Sequence, residues 1–205
     1  MKKIKLFIPI LFVIIILLGS VSACTHTPPP KVIAIPTVGE QLPELTLKTP
    51  ADKLIRNYLG LKNDSSETFT AGEIQCDILL IQIFSMYCPF CQREAPNVNQ
   101  FFNLVQTDRK LAKKIKMIGI GAGNSAFEVG VFKKKYSVEF PLFADSDFTL
   151  HNKLGQVRTP YFFAICNRGE KKNQILISKL GGLADPKIFL RSLTDLLDAT
   201  IKGEK

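Results

Sequence analysis

The stretch "DILLIQIFSMYCPFCQREAPNV", residues 77–98, is the most informative part of the sequence because it joins an apolar run to two cysteines and then to a helical pattern. Residues 77–84 form a near-continuous apolar run of strand length, which is typical of a central strand covered on both faces. Beyond the cysteines, apolar residues recur at helical spacing, namely Val98, Phe101, Phe102 and Val105. The sequence therefore predicts a strand, a turn with Cys88 and Cys91, and an amphipathic helix.

Cys88 and Cys91 fall at the start of this helix, where free backbone N–H groups favour the thiolate of the first cysteine. Cysteines in such positions have pKa values of about 3.5 to 7.5. We therefore expect Cys88 to attack a partner's disulfide and Cys91, one turn further along, to resolve the mixed disulfide. Pro89 suits the first helical position, where its missing N–H would have no partner in any case.

Two other uses of the cysteine pair compete with redox chemistry. A structural zinc site needs four ligands, often from two such pairs, whereas Cys76, His151 and Cys166 are scattered along the chain. A purely structural disulfide between Cys88 and Cys91 would close a very short loop, which stabilises little. The pair is therefore interpreted as a redox centre that requires no metal and no organic cofactor.

The rest of the chain alternates strands with helices. Strands are predicted at 116–122, 158–166 and 173–180, and a short strand or a turn at 140–145. Helices are predicted at 125–136, at 148–154 and after the N-cap Asp185. Residues 51–60 fit a short helix, whereas 61–75 is polar and rich in turn residues and is predicted to be a loop of unknown use. This alternation predicts one layered α/β domain.

The chain opens with an export signal. Three lysines among the first five residues precede an apolar run and then small residues, which is the pattern of a secretory signal peptide. Residues 21–24, VSAC, resemble the lipobox of bacterial lipoproteins, which implies a lipoprotein signal peptide at 1–23 and a lipid on Cys24. An uncleaved membrane anchor is the alternative. Either reading predicts an exported protein anchored to a bacterial membrane, in the periplasm or at the cell surface.

Residues 24–37 are rich in proline, which favours an extended tether before a domain at 38–205. The net charge of +9 becomes +6 once residues 1–23 are removed. The lysine runs at 110–116 and 133–135 lack the interleaved aromatic residues of a nucleic-acid surface and are interpreted as solvated helix faces, with attraction to an anionic bilayer as the alternative. We expect a monomer without a nucleic-acid partner.

These segments together resemble a known fold. The C-x-x-C pair after an apolar strand, and the Thr159–Pro160 dipeptide before a later strand, resemble the thioredoxin fold. More narrowly, the chain is similar to the branch that contains the alkyl hydroperoxide reductase/thiol-specific antioxidant proteins and the TlpA-like membrane-tethered disulfide reductases. The segments that carry this similarity are 38–47, 91–98, 140–147 and 158–163. The resemblance implies a central mixed β-sheet with helices on both faces.

The resemblance also implies roles for residues around the pair. Pro160 is expected to be cis and to pack against the cysteines, where it and Thr159 present backbone to a substrate peptide. Glu94 matches the acid that TlpA-like reductases keep near their thiols, and it would assist proton transfer beside the second cysteine. A surface charge in the first helical turn is the alternative for Glu94.

Two positions depart from the family pattern. Gln82 stands where thioredoxin carries a buried acid, so Glu94 would have to act without it. Pro89 and Phe90, between the cysteines, are expected to contact the substrate but supply no side-chain donor to the thiolate. The resemblance implies a reductant, whereas this dipeptide leaves the direction of electron flow open.

In the implied fold, Cys76 and Cys166 lie near each other on antiparallel neighbouring strands. A second, structural disulfide between them would suit an oxidising compartment. Two buried thiols are the alternative.

The function that the resemblance implies is an extracytoplasmic, membrane-tethered thiol–disulfide oxidoreductase that reduces protein disulfides and receives electrons from an upstream redox partner. A peroxiredoxin-like thiol peroxidase is one alternative, for which Ser85 fits the motif but Ile81 stands at the required proline. A Cu(I)-binding chaperone is another, because thiolate pairs suit Cu(I) and His151 would add a ligand. Such chaperones usually space their cysteines more widely.

Overall fold

The computed structural model describes residues 33–61 and 66–202, with side chains described as far as Ala199. The predicted signal peptide, Cys24 and residues 25–32 of the predicted tether lie outside the described residues. Within the described ranges, no helix combines the length and the apolar character that crossing a bilayer requires.

The secondary structure follows the alternation that the sequence predicts. In the described part of the chain, the strands are β1 (Thr46–Lys48), β2 (Thr68–Thr70), β3 (Ile78–Phe84), β4 (Ile115–Ala122), β5 (Leu142–Asp145), β6 (Tyr161–Cys166) and β7 (Ile175–Leu180). The helices of the same residues are α1 (Lys53–Leu59), α2 (Pro89–Thr107), α3 (Arg109–Lys114), α4 (Ala126–Lys135), α5 (Thr149–Lys153) and α6 (Pro186–Lys202).

A mixed sheet with the strand order β5–β4–β3–β6–β7 forms the centre of the domain. Strand β3 pairs in parallel with β4 and antiparallel with β6, and β4 and β5 are parallel. The whole of β3 is buried, as expected of an apolar run covered on both faces. Because β3, β4 and β5 run in one direction, the loops that follow them meet at one edge of the sheet.

Helices cover both faces of this sheet. On one face, α2, α4 and α6 contribute Phe101, Val129 and Leu193 to a buried apolar cluster. On the other face, α1 and α5 contribute Leu59 and Leu150 to a second cluster, which β1 and β2 complete. The predicted fold class, a central mixed sheet flanked by helices on both faces, is confirmed.

The region before β3 contains structure that the sequence pattern does not predict. Strands β1 and β2 form an antiparallel pair, so part of the predicted 61–75 loop is a strand. The helix predicted in 51–60 is α1, which begins where the Asp52 carboxylate accepts the Leu54 N–H at 2.8 Å and ends at Gly60, with φ 68°. Three-residue strands are too short to show a hydrophobic period, which explains the omission.

The end of the predicted tether lies against the domain. Pro36 is buried, and its carbonyl accepts a hydrogen bond from the Ser178 hydroxyl at 2.8 Å. A Cβ on Gly155 would lie 2.7 Å from the backbone of Ile35, so this approach requires glycine. The packed structure therefore begins before residue 38.

Cys76 and Cys166 are both free thiols in the structure. The predicted antiparallel neighbourhood is present, since Ile78 pairs with Cys166. However, Cys76 packs against the α1 and α5 face, whereas side-chain alternation along β6 directs Cys166 to the opposite face. The next residue, Asn167, contacts Cys76 Sγ at 3.7 Å instead. Of the two alternatives, the structure has the two thiols, and the disulfide interpretation is corrected.

Replacing Cys76 by alanine is expected to make the stability of the reduced protein less sensitive to alkaline pH. Burial raises the pKa of Cys76 to about 12. Above the ordinary thiol value of about 8.5, the unfolded thiol loses its proton while the folded one keeps it, so the free energy of unfolding falls by about 1.4 kcal/mol per pH unit. Urea unfolding across this range should show a shallower decline in Cys76→Ala. Equal slopes in the two proteins would contradict the burial of this thiol.

Candidate active site

The two cysteines lie where α2 begins. Cys88 is the N-cap of the helix, and Pro89 is its first residue. The Cys88 sulfur accepts a hydrogen bond from the Cys91 N–H at 3.3 Å. The Cys88 thiol also donates to the Thr159 carbonyl at 3.3 Å. Backbone groups of a helix terminus and of a second loop therefore converge on one sulfur atom.

The sheet topology brings the second loop to the cysteines. Antiparallel pairing places Ile83, near the end of β3, opposite Tyr161, at the start of β6. The residues that follow β3 and those that precede β6 consequently lie side by side. The Thr159–Pro160 peptide is cis, and the Pro160 carbonyl accepts the Gly181 N–H at 2.9 Å. The cis proline that the resemblance implies is present beside Cys88.

The two thiols differ in acidity. Burial by itself raises the pKa of Cys88, but hydrogen bonds with Thr159, with the Cys91 thiol and with the N–H groups of Cys91 and Phe90 outweigh it, so the pKa is lowered. Burial raises the pKa of Cys91 to about 12, and the neighbouring Cys88 sulfur acts in the same direction. Cys88 is thus the half-buried, more acidic thiol, and Cys91 is the buried one that keeps its proton.

A polar network supports the loop before Cys88. The fully buried Asn124 accepts the Met86 N–H at 2.8 Å through its side-chain oxygen. Gln92 donates to the Met86 carbonyl at 2.7 Å, and the Tyr87 hydroxyl hydrogen-bonds the Glu128 carboxylate. These residues escape the sequence analysis. Asn124 could be found from the fold rather than from a motif, because the parallel pairing of β3 with β4 places the loop that contains it beside the cysteine loop.

The residues predicted to bind substrate lie around one groove. It has a volume of about 320 Å³, and its lining includes Phe90, Thr159, Pro160 and Leu180. Pro89 is exposed at the start of α2, at the same end of the molecule. Thr159, whose carbonyl contacts the Cys88 sulfur, is one of the lining residues, so the groove adjoins the attacking atom.

Glu94 also lines this groove, but its carboxylate is directed to a different segment. Its oxygens accept the Leu183 N–H at 2.6 Å and the Asn97 side-chain N–H at 3.3 Å. The contacts therefore anchor the turn after β7 to α2. The role of Glu94 in proton transfer stays a prediction, to which the structure adds a positioning role.

Replacing Gly182 by alanine is expected to lower the free energy of unfolding by about 1 to 2 kcal/mol. A Cβ at this position would collide with the Glu94 carboxylate and displace it from the Leu183 N–H, and a lost hydrogen bond to a charged group costs about that much. Urea unfolding measures the change. Gly130→Ala is the control, since Gly130 lies in α4 with open space at its Cβ position and alanine there should stabilise by up to about 1 kcal/mol. Equal effects of the two variants would contradict the anchor.

Two further residues that the sequence singles out, Gln82 and His151, have defined contacts or burial in the structure. Gln82 is buried in β3, whose alternation directs it to the face that α2 covers. His151 contacts the Val157 carbonyl at 2.8 Å through its ring nitrogen. Among the described residues, no group of three or more His, Cys, Asp or Glu side chains could hold a metal ion. The structure therefore does not gather Cys88, Cys91 and His151 into a copper site.

A mixed sheet with helices on both faces, a C-x-x-C pair at a helix N-terminus and an adjoining cis proline define the class of thioredoxin-like thiol–disulfide oxidoreductases. The sequence adds a family: residues 38–185 match the model of the AhpC/TSA family. The chain belongs to this family. Comparison with curated protein sequences finds no significant match.

Solved structures support the fold. The thioredoxin domain of a thiol-disulfide oxidoreductase from Bacteroides vulgatus is 10% identical, with a TM-score of 0.57 over 79% of this chain and 99% of that domain. StoA from Bacillus subtilis is 18% identical, with a TM-score of 0.52 over 77% of this chain and 99% of StoA. At these identities the likeness shows the thioredoxin-like fold alone.

Proposed function

We propose that the protein reduces protein disulfides outside the cytoplasm while tethered to a membrane. The observation that carries the proposal is the Cys88 sulfur, whose lowered pKa results from hydrogen bonds at a helix N-terminus, next to a buried Cys91 thiol. An acidic attacking thiol beside a protonated resolving thiol is the arrangement that dithiol exchange needs.

The reaction proceeds in two exchanges. The Cys88 thiolate attacks one sulfur of the substrate disulfide, so a Cys88–substrate disulfide forms and the other substrate sulfur leaves as a thiolate. Cys91 then loses its proton and attacks Cys88, which forms the Cys88–Cys91 disulfide and releases the second substrate thiolate. Bonding the Cys88 sulfur removes its negative charge, so one cause of the raised pKa of Cys91 disappears when Cys91 must ionise.

Oxidised protein must recover two electrons before it acts again. An upstream dithiol partner outside the cytoplasm would supply them by the same exchange.

The pattern at residues 1–24 supports export and a lipid on Cys24, and we propose that the domain works as a monomer. Metabolic labelling with palmitate should mark the wild-type protein, whereas Cys24→Ala should stay unlabelled.

The site supports neither of the two alternatives, a thiol peroxidase or a Cu(I)-binding chaperone. Ile81, which stands at the proline position of the peroxidase motif, is buried inside β3. The Ser85 hydroxyl accepts the Tyr87 N–H and an Asn124 side-chain N–H, both at 3.4 Å. Both contacts use the hydroxyl as an acceptor and hold the loop before Cys88.

The test uses the full chain in nonionic detergent with insulin as the disulfide substrate. Reduced wild-type protein should reduce insulin, whereas Cys91→Ser should accumulate a covalent complex that dithiothreitol releases.

The reduction potential of the Cys88–Cys91 pair gives the direction of electron flow. A value below about −200 mV supports a reductase, whereas a value near about −120 mV would indicate an oxidase. Absence of any trapped complex would refute the proposed function.

A further inference from the structure

The groove beside the attacking thiol carries positive charge. Arg93, on α2, and Arg158, immediately before Thr159, both line it, and both are exposed. Within residues 33–61 and 66–202, neither guanidinium forms a salt bridge with a carboxylate. Two unpaired guanidinium groups in one groove can bind a carboxylate with paired hydrogen bonds.

The contacts of Arg93 and Glu94 leave this charge available. The Arg93 guanidinium lies over the Phe90 ring, 4.5 Å from its centroid, which orders the group without using its N–H donors. Among the described residues that line the groove, Glu94 is the one with a carboxylate, and it already accepts hydrogen bonds from Leu183 and Asn97. The groove therefore presents two guanidinium groups that form no salt bridge and one carboxylate that already accepts hydrogen bonds from other residues.

The lining of the groove also includes two exposed apolar side chains, Phe90 and Leu180. Phe90 is 64% exposed and Leu180 is 53% exposed, so both offer apolar surface to a ligand. Thr159 and Pro160 line the same groove, and the Thr159 carbonyl contacts the Cys88 sulfur. A ligand that matches this surface combines a carboxylate with an apolar side chain close to a disulfide.

We propose that this groove selects substrate proteins in which an acidic residue, flanked by an apolar one, lies within a few residues of the cysteine that Cys88 attacks. The inference rests on the proposed disulfide exchange and names the class of substrate that undergoes it. Arg93 and Arg158 act as specificity residues: they bind the substrate carboxylate while the Cys88 thiolate displaces the leaving sulfur.

The test measures the rate of the first exchange with charged peptides. Peptides of identical sequence, with glutamate, glutamine or lysine two positions from a single cysteine and a leucine beside it, are activated as 2-pyridyl disulfides, which have a neutral leaving group. Full-length Cys91→Ser protein attacks the peptide sulfur and releases pyridine-2-thione, which absorbance follows. We expect the glutamate peptide to react about tenfold faster than the lysine peptide at low ionic strength, and the difference to shrink at about 1 M salt.

Charge-reversal variants separate the groove from the overall positive charge of the protein. Arg93→Glu with Arg158→Glu should invert the order of the peptides, whereas Arg109→Glu with Lys110→Glu is the matched control. These control residues begin α3, which leads into β4 at the sheet edge opposite the cysteines, and their reversal should preserve the order. Far-ultraviolet circular dichroism shows whether each variant is folded.

The outcomes distinguish this inference from the function on which it rests. Equal rates for the three peptides, or an equal loss of preference in the control pair, would overturn acidic selection while disulfide exchange itself stands. Failure of every peptide to react would refute both. Inversion of the preference in the groove pair alone would support the specificity site.

Discussion

Cys88→Ser is expected to abolish disulfide reduction, with a loss of about 10³-fold or more in the rate of insulin reduction. The hydroxyl of serine does not ionise at physiological pH and cannot form the mixed disulfide, so the first exchange has no nucleophile. Serine can nevertheless accept the Cys91 N–H that the Cys88 sulfur accepts at 3.3 Å, because serine is itself a favoured N-cap. Folding should therefore survive the change, and the loss of activity should not reflect unfolding.

The pH dependence of Cys88 provides the accompanying measurement. Since hydrogen bonds lower the pKa of Cys88, alkylation of this residue by iodoacetamide should reach half its maximal rate at a lower pH than alkylation of an ordinary thiol in an unstructured peptide. Mass spectrometry locates the modified residue. Cys91→Ser serves as the control, because it retains the attacking thiol and should still be alkylated at Cys88. A midpoint at or above the ordinary value would contradict an activated thiolate.

Phe101→Ala is expected to lower the free energy of unfolding by about 3 to 5 kcal/mol, the usual cost of removing a buried phenylalanine. Phe101 is fully buried on α2, and its ring meets that of Phe189, on α6, edge to face at a centroid distance of 5.4 Å. The change opens a cavity between the helix that carries the cysteines and the last helix. A loss of this size is a large share of a typical total of about 5 to 15 kcal/mol.

Urea unfolding measures this loss, and an exposed phenylalanine on the same domain is the control. Phe127, on α4, is 79% exposed, so Phe127→Ala should change the free energy of unfolding by no more than about 0.5 kcal/mol. Phe101→Leu should fall between the two, because most of the buried volume is kept. Similar losses in Phe101→Ala and Phe127→Ala would mean that α6 does not pack over α2 as the structure has it.

Local signals account for much of the agreement between sequence and structure. Strand β3 and helix α2 follow from hydrophobic periods of strand and helix within residues 77–105, and each pattern is long enough to be unambiguous. The N-cap position of Cys88 follows from the junction of those two patterns. The cis peptide before Pro160 was implied by the family resemblance rather than by any local period.

The positions that the sequence left open depend on side-chain direction and distant contacts. Cys166 lies on a strand adjacent to the Cys76 segment, as expected. Successive side chains of a strand point to opposite faces of the sheet, so a difference of one residue is enough to separate the two thiols. Asn167 contacts Cys76 instead. Asn124 supports Met86, and Glu94 reaches Leu183, across separations of 38 and 89 residues. No local pattern encodes such pairs.

The amino-acid pattern alone predicts that a buried strand leads into a helix through two cysteines and that Cys88 is the attacking thiol, because hydrophobic period and helix-start chemistry act over neighbouring residues. The tertiary structure added a long-range cause of this acidity, since the Thr159 side chain that helps to lower the pKa of Cys88 lies 71 positions further along the chain. The antiparallel pairing of β3 with β6 also places Arg158 in one groove with Phe90 and Arg93. Charges and carbonyls act through space, and the folded sheet sets the distances over which they do so.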